Sequence, residues 1–135
     1  MAITINGSGT VTGISAGGLP DGVITTDDLA STVPVAKAWV NFNGTGTVAI
    51  RASYNVSSIT DNGTGDYTVN FTTALADANY SVIPVAGRAG YSDNVITMLY
   101  DSATAPTSSL FRVLTVDRTT DAARDRSIIS AAVFR

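Results

Sequence analysis

The sequence lacks several residue types on which much protein chemistry depends. It has no histidine and no cysteine, no glutamate or glutamine, and a single lysine. Without histidine and cysteine it cannot form a Ser-His-Asp triad, a Cys-His pair, a disulfide or a zinc site of the usual ligand types. Aspartate is the only carboxylate side chain, so a glycoside-cleaving pair would need two aspartates. These absences predict a protein that is not an enzyme and that uses no cofactor.

Charge is also scarce. Charged residues make up 14% of the 135 residues, the net charge is −3, and no basic stretch is interleaved with aromatic residues. A nucleic-acid backbone or an anionic membrane is therefore not an expected partner. No apolar run approaches the roughly 18 residues of a membrane span, and the first residues lack the apolar core of a signal peptide. We expect no nucleic-acid partner and no membrane partner.

The composition changes near residue 36. Residues 1–36 hold six of the 12 glycines and few large side chains, so they cannot bury enough apolar area to fold alone. We predict that they form an extended N-terminal attachment arm, ordered by contact with another surface. Residues 37–135 carry the larger apolar side chains and are predicted to form one compact knob.

The knob has the pattern of an all-β domain. Apolar residues alternate with polar ones at Val48, Ile50, Ala52, Tyr54 and Val56, which predicts one strand with a single buried face. The segments 43–46 and 61–65 contain Asn-Gly, which predicts tight hairpin turns. Seven or eight short strands without a helical period indicate an antiparallel β-sandwich or jelly roll.

Two later segments are apolar at consecutive positions. In residues 95–100 and 110–116, apolar side chains point to both faces of the predicted strands. Either the chain's own loops cover the second face, or another copy of the chain does. The second alternative predicts a subunit interface that includes Ile96, Leu99 and Leu114. Trp39 is predicted to point outward, where either the arm or another subunit would cover it.

Three polar segments offer candidate contacts. Residues 117–126 gather three aspartates and three arginines, so Arg118 and Arg124 either form weak ion pairs in a solvated loop or bind a carboxylate on a neighbouring subunit. Residues 87–94 form either an ordinary loop or a receptor-binding loop. In that second case Arg88, Tyr91 and Asp93 would contact a host-surface glycan. Residues 61–66 resemble a calcium loop superficially, but they lack its ligand spacing, and a hairpin with no metal is expected.

Two segments resemble proteins of tailed bacteriophages. Residues 7–22, with the sequence GSGTVTGISAGGLPDG, are followed by ITTDDLA at 24–30 and resemble the N-terminal segment of many phage fibre and appendage proteins. Residues 37–46, KAWVNFNGTG, continuing to Phe71, are similar to a module found near the ends of such proteins, especially those of aquatic phages. Together the two segments cover about half of the chain.

The resemblance implies a virion location and a homotrimer with an extended arm and a β-rich knob. Its most direct expectation is a short tail fibre or fibre tip that contacts the host surface, with the arm bound to other virion proteins. In this chain, however, the arm leads straight into the knob, without the shaft repeats of most tail fibres. A capsid decoration or cement protein that stabilises the phage head is therefore the alternative.

Overall fold

The chain divides into two units, Met1–Val33 and Pro34–Arg135. The computed structural model describes residues 35–87, 95–99 and 105–135, all of them in the second unit, and for most of 95–99 it describes the backbone alone. The predicted N-terminal arm therefore lies outside the described residues, apart from Val35 and Ala36.

The described residues form an antiparallel β-sandwich. Sheet A has the strand order β2-β1-β9-β5, and sheet B has the order β3-β4-β7-β6, with β8 paired to β7. Every pairing is antiparallel, which confirms the predicted fold class. The strands are β1 (Ala36–Asn43), β2 (Ala49–Tyr54), β3 (Val56–Gly63), β4 (Asp66–Phe71), β5 (Ser81–Gly87), β6 (Val95–Leu99), β7 (Leu110–Asp117), β8 (Ala122–Ala123) and β9 (Ile128–Phe134).

The core lies between the two sheets and follows from the two-residue period of the strands. Every second side chain of β1, β4, β7 and β9 is buried, while its neighbours point away from the core. The rings of Phe42 in sheet A and Tyr67 in sheet B meet edge to face, with their centroids 5.3 Å apart. Each large side chain buried in this way stabilises the fold by about 1.5–3 kcal/mol. The largest fully buried side chains are Tyr67, Phe42, Phe111, Ile129, Val40, Val69, Val113, Val133 and Thr115.

A β-bulge changes which side chains of β2 face the core. The pairing of β1 with β2 shifts register between Asn41 and Phe42, so Arg51 has no partner across the pair. A one-residue shift moves all later side chains to the opposite face. Ile50 therefore packs against the core, whereas Tyr54 is half exposed. The predicted buried face running from Val48 to Val56 is wrong for this reason.

The same predicted strand is divided by a corner at Asn55. This residue has a positive φ of 53°, and the chain passes there from sheet A to sheet B. The Asn55 side chain holds the corner, because its Nδ2 donates to Lys37 O at 3.2 Å and to Thr73 O at 3.1 Å, while its Oδ1 accepts from Thr73 N. Asparagine tolerates this backbone conformation better than most residues. One predicted strand is thus two strands in different sheets.

Both predicted hairpins are present, between β1 and β2 and between β3 and β4. Gly46, Gly63 and Gly65 have the positive φ angles of the two turns. Gly44 serves another purpose, because a Cβ atom placed there would lie 2.5 Å from the Tyr67 hydroxyl oxygen. The Asn-Gly pair of the first turn is therefore explained by a close approach to the core as well as by turn geometry.

Candidate interaction surface

The most distinctive surface of the described part is the outer face of sheet A. All five large apolar side chains that are substantially exposed lie on it. Their exposed fractions are 39% for Trp39, 50% for Tyr54, 58% for Ile83, 60% for Val85 and 43% for Ile128. Together they expose several hundred Å² of apolar surface, the size that marks a contact site on a monomeric protein. We call these five side chains and the residues between them the apolar face.

The strand register places these side chains in rows across the sheet. Trp39 of β1 is paired with Tyr54 of β2 on one side and with Ala132 of β9 on the other. Ala132 is paired in turn with Ile83 of β5. One row therefore runs across all four strands. Because the residue of β9 in this row is small, it lies lower than the aromatic pair on one side and Ile83 on the other.

The next row holds the polar groups of the apolar face. Asn41, Ser130 and Val85 are register partners in it. Asn41 Nδ2 donates to Ser130 Oγ at 2.7 Å, and its Oδ1 accepts from Arg51 Nη1 at 3.4 Å. Arg51 also donates to the backbone carbonyl of Ser127. Since these groups already have partners within the sheet, another surface can cover them without leaving a buried polar group unpaired.

Sheet B presents a contrasting outer face. Arg112 makes a bidentate ion pair with Asp66, in which Nε donates to Oδ1 at 2.6 Å and Nη2 contacts Oδ2. Asn62 Nδ2 donates to Thr68 Oγ1 at 2.9 Å, and Asn70 Nδ2 donates to Thr60 Oγ1 at 3.1 Å. Cross-strand polar pairs of this kind suit a sheet face in contact with water. The two outer faces of the sandwich therefore differ in chemistry.

A polar cluster lies at the end of the sandwich, near the hairpin turns. The Tyr67 hydroxyl is 2.8 Å from Gly44 O and 2.9 Å from Asp125 Oδ1, and Gly65 N donates to the same carboxylate oxygen at 2.7 Å. Burial, followed by the Asp125 carboxylate, raises the pKa of the Tyr67 phenol well above its usual range. The hydroxyl is therefore protonated and ties three chain segments together.

An open cavity of about 310 Å³ adjoins this cluster. Two guanidinium groups, one carboxylate and three hydroxyls line it, a composition that suits water or a small polar molecule rather than an apolar one. The lining residues are Thr45, Thr64, Arg124, Asp125, Arg126 and Ser127. Within the described ranges, no group of three or more acidic side chains is placed to hold a metal ion. In the same part of the chain, no helix is long and apolar enough to cross a membrane.

The structure places the predicted interface residues at separate sites. Trp39 lies on the apolar face of sheet A. Leu114 is half-buried in β7 and is paired with Asp66 of sheet B. Ile96 and Leu99 lie in β6, also in sheet B, where the description is limited to the backbone. The structure therefore does not bring these four residues together on one surface.

The predicted polar contacts fall partly outside the description. Arg88, Tyr91 and Asp93, the predicted receptor-binding residues, all lie outside the described residues. Arg118 is exposed in the turn between β7 and β8. Arg124 Nε lies 3.5 Å from Asp117 Oδ2 of its own chain. The Thr119 backbone N–H, with the guanidinium of Arg124, lowers the pKa of the Asp117 carboxyl.

Sequence reasoning missed four members of the apolar face: Tyr54, Ile83, Val85 and Ile128. A signal for two of them is present, because residues 82–85 are apolar at four consecutive positions and so present apolar side chains on both faces of a strand. The same criterion selects residues 95–100 and 110–116, and it applies equally well to β5. For Tyr54 the signal is hidden by the bulge at Arg51.

Comparisons with known proteins do not add a family: no family model, no curated protein and no solved structure matches this chain.

Proposed function

We propose that this chain is a non-enzymatic structural protein of a bacteriophage particle, and specifically a homotrimeric short tail fibre or fibre tip that contacts the host surface. The observation that carries the proposal is the apolar face, which gives a compact β-sandwich a surface suited to binding protein. The resemblance of residues 7–30 and 37–71 to phage appendage proteins supplies the virion context.

The contrast between the two sheets supports an assembly role. A sandwich with two wet outer faces would carry polar side chains on both, as sheet B does with Arg112 and Asp66. On sheet A, Trp39 and Ile83 occupy positions that a solvated sheet would give to polar residues. Aromatic and aliphatic side chains surrounded by polar groups are typical of protein interfaces.

A capsid decoration protein is the second candidate. The observation that favours it is the short connection between the segment that resembles an attachment arm and the knob. That segment ends near residue 30, and β1 begins at Ala36. No shaft repeat separates the two, whereas a fibre holds its tip away from the particle by means of a shaft.

The deciding experiment uses phage particles that lack this protein. If the protein is a fibre tip, these particles should assemble normally and should adsorb poorly to host cells. If it is a decoration protein, they should adsorb normally and release their DNA at a lower temperature, because a ligand of the assembled shell no longer stabilises it. Purified particles that contain no copy of the chain, as judged by mass spectrometry, would refute both candidates.

A further inference from the structure

The apolar face has a shape that another copy of itself can match. The small side chains of Ala132 and Ser130 form a shallow groove along β9. Trp39 and Tyr54 form a ridge on one side of this groove, and Ile83 with Val85 forms a second ridge on the other side. Neighbouring strands are about 4.8 Å apart, so a ridge and the groove beside it have similar widths. The face therefore offers both halves of a ridge-in-groove contact.

The charge of the apolar face also suits a second copy. None of the paired residues in its two central rows is charged, and Arg51 lies at its margin, bonded to the sheet itself. An acidic or basic partner would find no complementary charge there. Two uncharged faces can meet without repulsion, even though each copy has a net charge of −3.

The sheet edge is less suited to association than the face. β5 is an edge strand of sheet A and contains Pro84, which has no backbone N–H. Proline is tolerated in an edge strand where its missing N–H would face solvent, so the free edge lacks a donor there. Adding a strand from another copy would leave a ladder bond unmade. Association is therefore expected through the face.

The size of the apolar face is of the right order. Four strands of five to six residues make a surface roughly 15 Å by 20 Å, and its protruding side chains add accessible area. Each partner of a standard interface buries roughly 800 Å². A face of this size, turned toward a rotation axis, can contact two neighbours at once and so close a ring.

From these observations we infer that the apolar face is the surface through which copies of this chain assemble, with Trp39, Tyr54, Ile83, Val85 and Ile128 in the contact. The number of copies, three, rests on the proposed function, whereas the choice of face rests on the structure. The inference assigns assembly to sheet A, so that the polar outer face of sheet B stays in water.

Trp39 provides a direct probe, because it is the only tryptophan of the chain. Covering the apolar face should shift its fluorescence to shorter wavelength and protect it from quenching by acrylamide. We expect the full-length protein to scatter light as a particle of three times 13.9 kDa at micromolar concentration. On dilution, its mass and the protection of Trp39 should fall together.

The variant Ile83→Asp tests the face with little risk to the fold. This side chain is 58% exposed at a sheet edge, so an aspartate there remains hydrated in a single copy but is buried without a partner in the assembly. We expect the dissociation constant to rise at least roughly 100-fold. The matched control is Thr60→Asp, which also places an aspartate on the outer side of an edge strand, in sheet B. This control should assemble like the original protein.

Circular dichroism of both variants confirms that they are folded, and Val85→Asp repeats the test if Ile83→Asp is not. A folded Ile83→Asp or Val85→Asp protein that still forms the original assembly would overturn the inference and leave the proposed function intact. A monomeric original chain would overturn it too, whether Trp39 is already protected by its own chain or freely quenched. An assembly that Ile83→Asp dissociates, in a protein absent from phage particles, would support the inference and refute the proposed function.

Discussion

The hydroxyl of Tyr67 is expected to contribute more to stability than any exposed polar group of the protein. Its ring lies wholly inside the sandwich, and its oxygen is 2.8 Å from the buried carbonyl of Gly44 and 2.9 Å from Asp125 Oδ1. In Tyr67→Phe the ring still fills the core, but the Gly44 carbonyl loses its donor. Leaving a buried acceptor unpaired costs about 1–3 kcal/mol. We therefore expect the free energy of unfolding to fall by that amount.

The assay is urea unfolding followed by circular dichroism, at one protein concentration because association adds to apparent stability. For a domain of this size, each kcal/mol corresponds to a decrease in Tm of about 4–8 °C. The control is Tyr54→Phe, which removes the hydroxyl of a half-exposed tyrosine and should change the free energy by less than about 0.5 kcal/mol. If Tyr67→Phe were as mild as Tyr54→Phe, the argument that this hydroxyl ties the two sheets together would be refuted.

A double variant sharpens the result. In Gly44→Ala, the new methyl group would lie 2.5 Å from the Tyr67 hydroxyl oxygen, so the tyrosine must move. Removing the hydroxyl relieves part of this clash, although Ile129 remains close at 2.8 Å. The two substitutions together should therefore destabilise the protein by less than the sum of the single effects. Strict additivity would mean that the two sites do not interact.

Three further expectations concern the turns and the titrating groups. Gly65→Ala should destabilise the fold by several kcal/mol because its methyl group would lie 2.6 Å from backbone atoms, whereas Gly46→Ala should cost about 1 kcal/mol from backbone strain alone, which urea unfolding can compare. Burial raises the pKa of Tyr80 to about 12, so folding keeps this phenol protonated while the unfolded chain ionises near pH 10. Stability measured by thermal unfolding should therefore decrease from about pH 10 to 12, and less steeply in Tyr80→Phe. A hydrogen bond from Arg135 lowers the pKa of Asp77 to about 2, so stability should be lost as the pH falls from about 4 to 2, and Asp77→Asn should weaken that dependence.

The fold class was predictable because it depends on features that one segment of sequence contains. Alternation in β1 and β4 shows which residues share a face, and Asn-Gly pairs show where hairpins turn. Neither signal depends on distant parts of the chain. The antiparallel sandwich follows from them, since several short strands joined by tight turns must cover one another's apolar faces.

The apolar face was not predictable from the same signals. Alternation does not say which of two apolar faces lies inside, so for Val82 and Ile83 the choice depends on pairing with β9, almost fifty residues later in the chain. The bulge at Arg51 and the positive φ at Asn55 leave the alternating pattern of the sequence unbroken while reversing its meaning. Trp39 was assigned correctly to the outside because its strand has neither irregularity.

The central place of β9 in sheet A governs when the assembly surface comes into existence. Asn41 and Ser130, which bond across the middle of that surface, are 89 residues apart in the chain. Until β9 has been synthesised and has inserted between β1 and β5, the tryptophan ridge and the isoleucine ridge belong to strands that do not touch. Contacts between such distant residues form late in folding. A ribosome-bound chain that ends before β9 therefore has no surface with which to recruit another copy, and subunit recruitment waits for a finished knob.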